Sequence, residues 1–491
     1  MLHEATVDSI HAAFGSGELT CVALVQACLA RIEACDRQGP ALRALLTVNP
    51  DALKTAEQMD RQYRDSGGRV GSLHGIPLII KDNLDTADLP TSGGNVAMRD
   101  FRPAADAFAV ARLRQAGALV LAKANLQEFA RGGMSISGLG GQALNPYDLT
   151  RTPGGSSGGT GAAIAAGYAV LGVGSDTGQS IRSPASACSL VGVRPTRGLV
   201  SRGGLMPNSF TQDEVGPITR SAKDAARMLD AMAGYDPADS VTALGVGRQP
   251  ASFAAGLAAA TLHGARIGVM GNLFGGQARH AEVNAVMERV IRNMQAQGAH
   301  VQSFELSGYD ALAARVSTDR YEARAAIDRY FGQRPGSPFA SLRQVVESRT
   351  ASPAIQQQIE AEIAITDGLD DPDYKDRMLT RDKLRLAVLQ VMADLRVDAI
   401  LYPLQRVLVA SVGESEQAER NGALSHGTGL PAVTFPAGFS IPTAIAPLGV
   451  PIGAELLGRD FSEGLLLSMA HAYEQAWPTR QPPLACRHSA S

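Results

Sequence analysis

Two glycine-rich stretches carry serine residues whose hydroxyl groups could act as nucleophiles. Residues 152–161 read TPGGSSGGTG, with five glycines and two adjacent serines, and residues 175–180 read SDTGQS. A phosphate-binding loop would need a lysine in the pattern G-x-x-x-x-G-K-[ST], and neither stretch has one. A flexible linker would need polar flanks, yet the apolar sequence AAIAAGYAVLGVG follows the first stretch. The pattern therefore favours two close-packed loops that present serine hydroxyls.

A serine nucleophile needs a general base within reach. The chain has nine histidines, of which His74 and His426 lie in segments that read as Gly/Pro turns, so a structural role is favoured for both. The other candidate is Lys81, which follows the apolar run GIPLII. A single lysine at a strand end is usually exposed, but burial beside two serines would lower its pKa and leave a neutral amine. The residues favour Lys81 as the base, with a surface lysine as the structural alternative.

The elements between the two stretches predict that the stretches meet. As a helix, residues 157–168 would span about 18 Å at about 1.5 Å per residue. As a strand, residues 169–174 would span about 20 Å at about 3.3 Å per residue. The helix leaves the first loop and the strand returns over a similar length, so residues 175–180 should lie beside Ser156. Open α/β sheets bind ligands at such an edge.

The rest of the chain predicts an α/β fold. Apolar strands without alternation follow helices with an apolar face, which indicates a sheet whose two faces are both covered. Residues 240–264 read as a surface connection, and residues 310–396 are almost wholly helical and could cover an active site. Helices are predicted over residues 20–33, 51–63, 106–117, 280–298 and 461–476, and strands over 75–80, 118–125, 265–270, 300–306, 398–404 and 431–439.

Composition narrows the function classes. The 491 residues have a formal net charge of −3, with 45% hydrophobic and 19% charged residues, so no basic surface for nucleic acid is expected. The five cysteines form no C-x-x-C pair, and the N-terminus lacks a signal-peptide pattern, which favours a cytoplasmic protein without metal or cofactor. Two long uncharged stretches, 152–175 and 427–454, are too rich in small residues or proline for membrane helices. We therefore expect no membrane partner.

Taken together, these stretches resemble the amidase signature family of hydrolases. The resemblance rests on GIPLIIKDN, NPYDLTRTPGGSSGGTGAAIAAG and GVGSDTGQSIRSPASACSLVGVRPTRGLV, and it continues to GLPAVTFPAGF near the C-terminus. It implies a single domain over residues 1–491, built on a large central mixed β-sheet covered on both faces by helices. Within that domain, residues 240–400 are expected to be a more variable, largely helical region.

The resemblance also implies a catalytic triad. Ser180 matches the nucleophile, Ser156 matches a bridging serine that follows a cis Gly155–Ser156 peptide bond, and Lys81 matches the base. The family's oxyanion hole is formed by backbone N–H groups, which correspond here to Thr177, Gly178, Gln179 and Ser180.

Further residues are implied with supporting roles. Ser157, Asp176 and Arg182 match positions that orient the two loops. The segment RGGMS, including Gly132, Gly133 and Met134, matches a segment that lines the family's substrate pocket, although an ordinary surface turn is an equal alternative. Gln179 departs from the family pattern, because glycine is usual at that position. Its side chain is expected to alter access to the oxyanion site.

The family resemblance leaves three functions open. The main expectation is a hydrolase that cleaves C–N bonds in small neutral primary amides, anilides or carbamates, including urethanes, with a homodimer as the expected assembly. The first alternative is the amidase subunit of a tRNA-dependent amidotransferase, which would require ammonia transfer and a partner protein. The second alternative is a non-catalytic binding protein, which an intact set of Lys81, Ser156 and Ser180 disfavours.

Overall fold

The computed structural model describes residues 2–486 and is organised around one mixed sheet of eleven strands. The strands lie in the order β1-β3-β2-β6-β8-β7-β12-β13-β11-β9-β10, and β4 and β5 form a separate hairpin. Strand β2 pairs in parallel with β3 and β6, whereas β6–β8, β7–β8 and β12–β13 are antiparallel. The strands are Leu45–Val48 (β1), Pro77–Lys81 (β2), Leu119–Ala124 (β3), Ile136–Ser137 (β4), Gly141–Gln142 (β5), Leu171–Asp176 (β6), Val191–Arg194 (β7), Glu214–Thr219 (β8), Arg266–Met270 (β9), His300–Phe304 (β10), Ala399–Pro403 (β11), Ala432–Phe439 (β12) and Pro451–Leu457 (β13).

Helices surround this sheet, and the predicted fold class is confirmed. Every residue of the central strands β2, β3, β6, β7, β8 and β13 is buried, as expected where both sheet faces are covered. The α-helices are Val7–Ser16 (α1), Cys21–Ile32 (α2), Ala52–Asp65 (α3), Phe108–Gln115 (α4), Gly158–Ala165 (α5), Arg182–Ala187 (α6), Ala222–Met232 (α7), Phe253–Gly256 (α8), Ala281–Ala296 (α9), Tyr309–Ala313 (α10), Asp319–Gly332 (α11), Leu342–Ser348 (α12), Pro353–Ile363 (α13), Pro372–Asp394 (α14), Ala423–Thr428 (α15) and Glu463–Ala476 (α16).

The predicted helix and strand between the serine stretches are both present, the helix shorter than predicted and the strand of the predicted length but two residues further along the chain. Helix α5 ends before Gly167, whose φ of 76° belongs to the left-handed region that favours glycine, and its N–H bonds back to the carbonyl of Ile164. Strand β6 then runs to Asp176. Gly159 explains why small residues open α5, because a Cβ atom there would lie 2.2 Å from the backbone oxygen of Asn125.

Two sequence interpretations are wrong. The connection over residues 240–264 is not simply a surface segment, since it contains α8 and buries Phe253, Leu257 and Leu262 against the core. His426 lies in helix α15 and not in a turn. In both cases the short apolar segments acquire their structure from packing against distant elements, which local periodicity does not encode.

The helical region after strand β10 forms its own packing layer. Helices α11, α12 and α13 bury Ile327, Phe331, Val345 and Ile359 in a cluster that also includes Phe129. Phe129 belongs to the segment just before RGGMS, so this layer is anchored beside the loops that carry the candidate site. None of the helices within residues 2–486 combines the length and apolar character that crossing a membrane requires.

Candidate active site

Strands β2 and β6 bring the candidate base and the second serine stretch to one sheet edge. The two strands are parallel neighbours with Ile80 opposite Val173, so Lys81 at the end of β2 lies beside Ser175 near the end of β6. Ser156 lies two residues before the first residue of helix α5, and the Gly155–Ser156 peptide bond is cis. The backbone N–H of Ser157 donates to the carbonyl oxygen of Ser180 at 3.2 Å, which holds the two loops side by side.

The Lys81 amine is surrounded by hydroxyl groups. Its Nζ atom lies 2.7 Å from Ser156 Oγ and 2.8 Å from Ser175 Oγ, and the side chain is fully buried. Burial lowers the pKa of Lys81 to about 7, although the negative charges of Asp176 and Asp213 act in the opposite direction. A substantial fraction of the amine is therefore neutral near pH 7 and able to accept a proton.

Lys123, a second buried lysine on the adjacent strand β3, has the ion pair and hydrogen bonds expected of a lysine with a purely structural role. Lys123 Nζ lies 3.0 Å from Asp82 Oδ1 and also bonds the carbonyl oxygens of Leu84 and Pro90. Within residues 2–486, Lys81 has no such carboxylate partner at ion-pair distance. The contrast favours a chemical role for Lys81, because its charge is left without direct compensation.

Ser180 lines a cavity at this edge, whereas Lys81 and Ser156 are not among its lining residues. The cavity has a volume of about 430 Å³, which suits a small-molecule substrate, and Ser180 is one of its lining residues. The sequence-predicted oxyanion residues Thr177, Gly178 and Gln179 line the same cavity. Among the described residues, no group accepts a hydrogen bond from the backbone N–H groups of residues 177–180, which leaves these donors free for a ligand.

A buried ionic network fixes the loop that carries Ser180. Arg182 donates from Nε to Asp176 Oδ2 at 3.1 Å and from Nη1 to Glu455 Oε1 at 2.7 Å, and Arg194 Nη1 lies 2.8 Å from Asp176 Oδ1. Burial alone would raise the pKa of Asp176, but the guanidinium groups of Arg182 and Arg194 hold it well below its usual range. The network also binds the loop directly, because Arg182 Nη2 donates to the Gly178 carbonyl oxygen at 2.5 Å.

Replacing Arg182 with methionine is expected to destabilise the protein by about 3–5 kcal/mol, because buried Glu455 loses its cationic partner and buried Asp176 is left with Arg194 alone. Urea unfolding of the purified variant measures this change. The matched control is Arg266→Met, which breaks the more exposed ion pair between Arg266 and Asp398 and should change stability far less. Equal losses in the two variants would contradict a special role for the buried network.

The helical region supplies part of the cavity wall. Helix α10 contributes Ala313, helix α11 contributes Asp319 and Ala323, and helix α13 contributes Gln358 and Glu362. Arg131 connects this wall to the RGGMS segment, since its Nε lies 3.0 Å from Glu362 Oε2. The region between residues 240 and 400 therefore forms part of the cavity that Ser180 lines.

The three predicted substrate-binding residues differ in position. Gly132 lines the cavity, whereas Gly133 and Met134 are not among its lining residues. The Gly133 carbonyl accepts from Gln417 Nε2 at 3.1 Å, and the Met134 N–H donates to Gln127 Oε1 at 3.2 Å. A substrate-binding role for Gly133 and Met134 remains a prediction from the family resemblance.

His426 lies in the same cavity and is the alternative base. Its Nδ1 atom lies 3.3 Å from Gln212 Nε2. Burial lowers its pKa well below the usual range, and the charges of Arg381 and Arg194 lower it further. His426 is therefore a neutral imidazole at neutral pH.

Sequence reasoning missed several residues of the site. Ser175 is a direct partner of Lys81, and Asn83 donates to Ser175 Oγ at 3.0 Å. Asp213 accepts from Thr177 Oγ1 at 2.5 Å, and Gln212 bonds both His426 and the carbonyl of Thr177. Ser175 and Asn83 fall within quoted motifs, but nothing in the sequence identifies Asp213 and Gln212 as neighbours of those motifs.

Comparisons with known proteins agree on one family. A family model described as Amidase matches residues 23–467. The chain is 35% identical over 490 residues to a Glutamyl-tRNA(Gln) amidotransferase subunit from Geobacter metallireducens, covering 98% of this chain and 99% of that protein. The structure matches native peptide amidase from Stenotrophomonas maltophilia with a TM-score of 0.88, 37% identity and 99% coverage of both chains. It matches the corresponding Glutamyl-tRNA(Gln) amidotransferase subunit from Thermotoga maritima with a TM-score of 0.75, 26% identity and 98% coverage of both chains.

Proposed function

The chain belongs to the amidase signature family, and from this premise we propose that it is a serine hydrolase that cleaves C–N bonds of small neutral amides through an acyl-enzyme on Ser180. The observation that carries the proposal is the buried, hydroxyl-bonded amine of Lys81, 2.7 Å from Ser156, together with a cavity lined by Ser180. Neutral lysine and serine in this arrangement are the components of nucleophilic catalysis.

Acylation would begin with proton removal from Ser180. Neutral Lys81 takes the hydroxyl proton of Ser156, while Ser156 takes the proton of Ser180, whose Oγ attacks the substrate carbonyl carbon. The carbonyl oxygen becomes an oxyanion that accepts hydrogen bonds from backbone N–H groups of residues 177–180. The proton then returns through Ser156 to the leaving nitrogen, and the C–N bond breaks to release ammonia or an amine.

Deacylation would use the same groups in reverse order. A water molecule enters after the amine leaves, and Lys81 accepts its proton through Ser156. The resulting hydroxide attacks the acyl carbon, and the proton passes to Ser180 Oγ as the ester bond breaks. The products are the carboxylic acid, or a carbonic acid monoester if the substrate is a carbamate, and the free enzyme.

The cavity supports a small substrate without net charge. Its charged lining residues are balanced, since Arg131 and Arg420 accompany Glu362 and Asp319. A volume of about 430 Å³ accommodates a molecule of modest size. Primary amides, anilides and carbamates, including urethanes, all remain candidates on these grounds.

The amidase subunit of a tRNA-dependent amidotransferase is the second candidate. The curated relatives support this function more directly than the first, because they are named as subunits of Glutamyl-tRNA(Gln) amidotransferase and match over nearly their full length. The structural comparison supports an independent amidase instead, with a TM-score of 0.88 to peptide amidase against 0.75 to the amidotransferase subunit. A non-catalytic role has no comparable support.

Assaying the purified chain by itself separates these two functions. The hydrolase predicts release of ammonia or aniline from at least one primary amide, anilide or carbamate, with Ser180→Ala as the inactive control. An amidotransferase subunit predicts no turnover by the chain alone and glutamine hydrolysis only after partner proteins are added. Size-exclusion chromatography with light scattering of the same sample tests the expected homodimer.

A further inference from the structure

A second cavity borders helix α15, and we call it the arginine cavity. It has a volume of about 370 Å³ and lies between helix α14, the C-terminal end of α15 and the segments that follow strands β7 and β13. It shares no lining residue with the cavity beside Ser180. Helix α15 contributes His426 to the catalytic cavity and Thr428 to the arginine cavity, so the two are neighbouring but separate sites.

The lining of the arginine cavity is positively charged. Four arginines contribute to it, namely Arg197, Arg248, Arg381 and Arg385. Among the described residues, only Arg385 has a carboxylate at ion-pair distance, that of Asp460. The other carboxylate of the lining belongs to Asp382, which is exposed to solvent. Four cations therefore face two carboxylates, and an anionic ligand would balance the difference.

Arg197 and Arg381 converge on one backbone oxygen. Arg197 Nη1 donates to the Thr211 carbonyl oxygen at 2.9 Å, and Arg381 Nη2 donates to the same oxygen at 3.3 Å. Their other Nη atoms bond the carbonyl oxygens of Phe210 and Val316. Within residues 2–486, neither Nε–H group has an acceptor, and both Nε atoms keep solvent-accessible surface. Two adjacent guanidinium groups thus have donors left for a ligand.

The charges of these two arginines are poorly compensated. Arg381 is only 7% exposed, and burial lowers its pKa to about 10. The negative charge of Glu322 acts in the opposite direction, and the charges of Arg194 and Arg197 lower the pKa further. Burial also lowers the pKa of Arg197. Both groups stay protonated at neutral pH, so an anion placed between them would offset the cost of burying like charges together.

The geometry selects the kind of anion. Because the two guanidinium groups share one acceptor, their charges lie close together, which suits a single doubly charged group better than two separated carboxylates. A phosphate monoester has a charge of about −1.5 to −2 at pH 7 and three acceptor oxygens, which match arginine donors. The lining also includes Leu244, Met378 and Phe461, and the Arg248 guanidinium lies 5.2 Å from the centre of the Phe461 ring. The cavity therefore has room for an apolar part of the ligand.

We propose that the arginine cavity is a second ligand site, which binds a small organic phosphate monoester. Arg197 and Arg381 hold the phosphate group, and the organic part packs against Phe461 and Leu244. The site uses no residue of the catalytic cavity, so it stands or falls independently of the proposed hydrolase function.

Isothermal titration calorimetry in a buffer without phosphate or sulfate tests the ligand class. The probes are phenyl phosphate, inorganic phosphate, benzoate and phenol. Phenyl phosphate is expected to bind most tightly. Inorganic phosphate lacks the apolar part and benzoate lacks the second charge, so each should bind roughly tenfold more weakly. Phenol lacks the anionic group and should show no measurable binding.

Charge substitutions locate the bound phenyl phosphate. Leu244 is 57% exposed and lines the arginine cavity, so Leu244→Glu adds a negative charge without disturbing the core and should weaken binding at least roughly tenfold. Ile441→Glu is the matched control, because Ile441 is 70% exposed and lies outside the lining. It should keep the affinity within about twofold. Arg381→Met removes one cation that holds the phosphate and should weaken binding roughly 100-fold.

Arg420→Met distinguishes the two cavities. Arg420 is exposed and lines the catalytic cavity, so this variant should bind phenyl phosphate as tightly as the unsubstituted protein. Binding that survives Leu244→Glu, or that is lost in Arg420→Met, would overturn the proposed location. Benzoate binding as tightly as phenyl phosphate would overturn the preference for a doubly charged group, and absence of phenyl phosphate binding would overturn the site itself. None of these outcomes bears on whether the protein hydrolyses amides.

Discussion

Replacing Ser180 with alanine is expected to lower kcat by about 10⁴-fold or more, because the acyl-enzyme can no longer form. Ser180 is the member of the predicted triad that lines the cavity, so its hydroxyl is the group within reach of a substrate carbonyl. The substitution removes one oxygen atom at the cavity wall, and the thermal unfolding temperature should therefore change little. Steady-state hydrolysis of an accepted amide, with differential scanning fluorimetry on the same sample, measures both effects.

A nearby serine provides the matched control. Ser183 lies one helical turn further on, is 2% exposed, and has a side-chain hydroxyl without a hydrogen-bond partner among the described residues. Ser183→Ala makes the same chemical change outside the cavity and should keep kcat within about twofold of the unsubstituted enzyme. Near-normal turnover by Ser180→Ala with an intact fold would remove Ser180 as the nucleophile.

Replacing Lys81 with methionine should have an effect of similar size, because it removes the proton acceptor while keeping most of the buried volume. We expect kcat to fall by about 10³-fold or more, since both acylation and deacylation need a base. In the unsubstituted enzyme, activity should rise with pH through the lowered pKa of Lys81 at about 7 and stay high into the alkaline range. Ser156→Ala should also be strongly impaired, with residual activity if water can replace the hydroxyl relay.

If His426 were the base, the activity would depend on pH in a different way. Its pKa is held well below the usual range, first by burial and then by neighbouring arginines, so a histidine base would place the inflection below pH 6.5. The pH profiles of Lys81→Met and His426→Ala should therefore be compared directly. Loss of activity in His426→Ala together with a normal rate in Lys81→Met would contradict the lysine mechanism.

The buried amine of Lys81 should also affect stability. Its folded-state pKa of about 7 lies below the value of about 10.4 for free lysine, so between these pH values the unfolded chain binds a proton that the folded protein lacks. The free energy of unfolding therefore rises with pH across this interval. Below about pH 7, the destabilisation caused by burying Lys81 is fully present. In urea unfolding, the stability of Lys81→Met relative to the unsubstituted protein should be highest near pH 6 and decrease towards pH 10.

The sequence alone determined much of the fold, because amphipathic helices and apolar strands are encoded in short windows. Helix α2, strands β2 and β3, helix α9 and strand β12 all lie within a few residues of their predicted positions. Strands β7, β8 and β13 were missed. The residues of β8, EVGPIT, include glycine and proline, which are typical of turns, and they form a strand only because β6 and β7 pair with them on both sides.

The sequence also located the candidate reactive groups. The lengths predicted for the helix and the strand placed the two serine stretches next to each other, and the residues favoured Lys81 as the base, which the family resemblance also implied. Such inferences succeed because glycine-rich turns and strand ends have a local signature. The charge state of the base had no such signature, since it depends on how completely the neighbouring strands and loops exclude water from the amine.

Only the tertiary structure decided the surroundings of these groups. Glu362 reaches Arg131 from 231 residues away, and Gly422, which is also distant in sequence, packs against the side chain of Gln179. From the sequence, Gln179 could be identified only as an unusual residue, whereas in the structure it is an unpaired amide inside a cavity. Whether a buried polar group has hydrogen-bond partners, and how far it is shielded from water, depend on atoms from many distant segments. Local sequence patterns therefore do not predict either property.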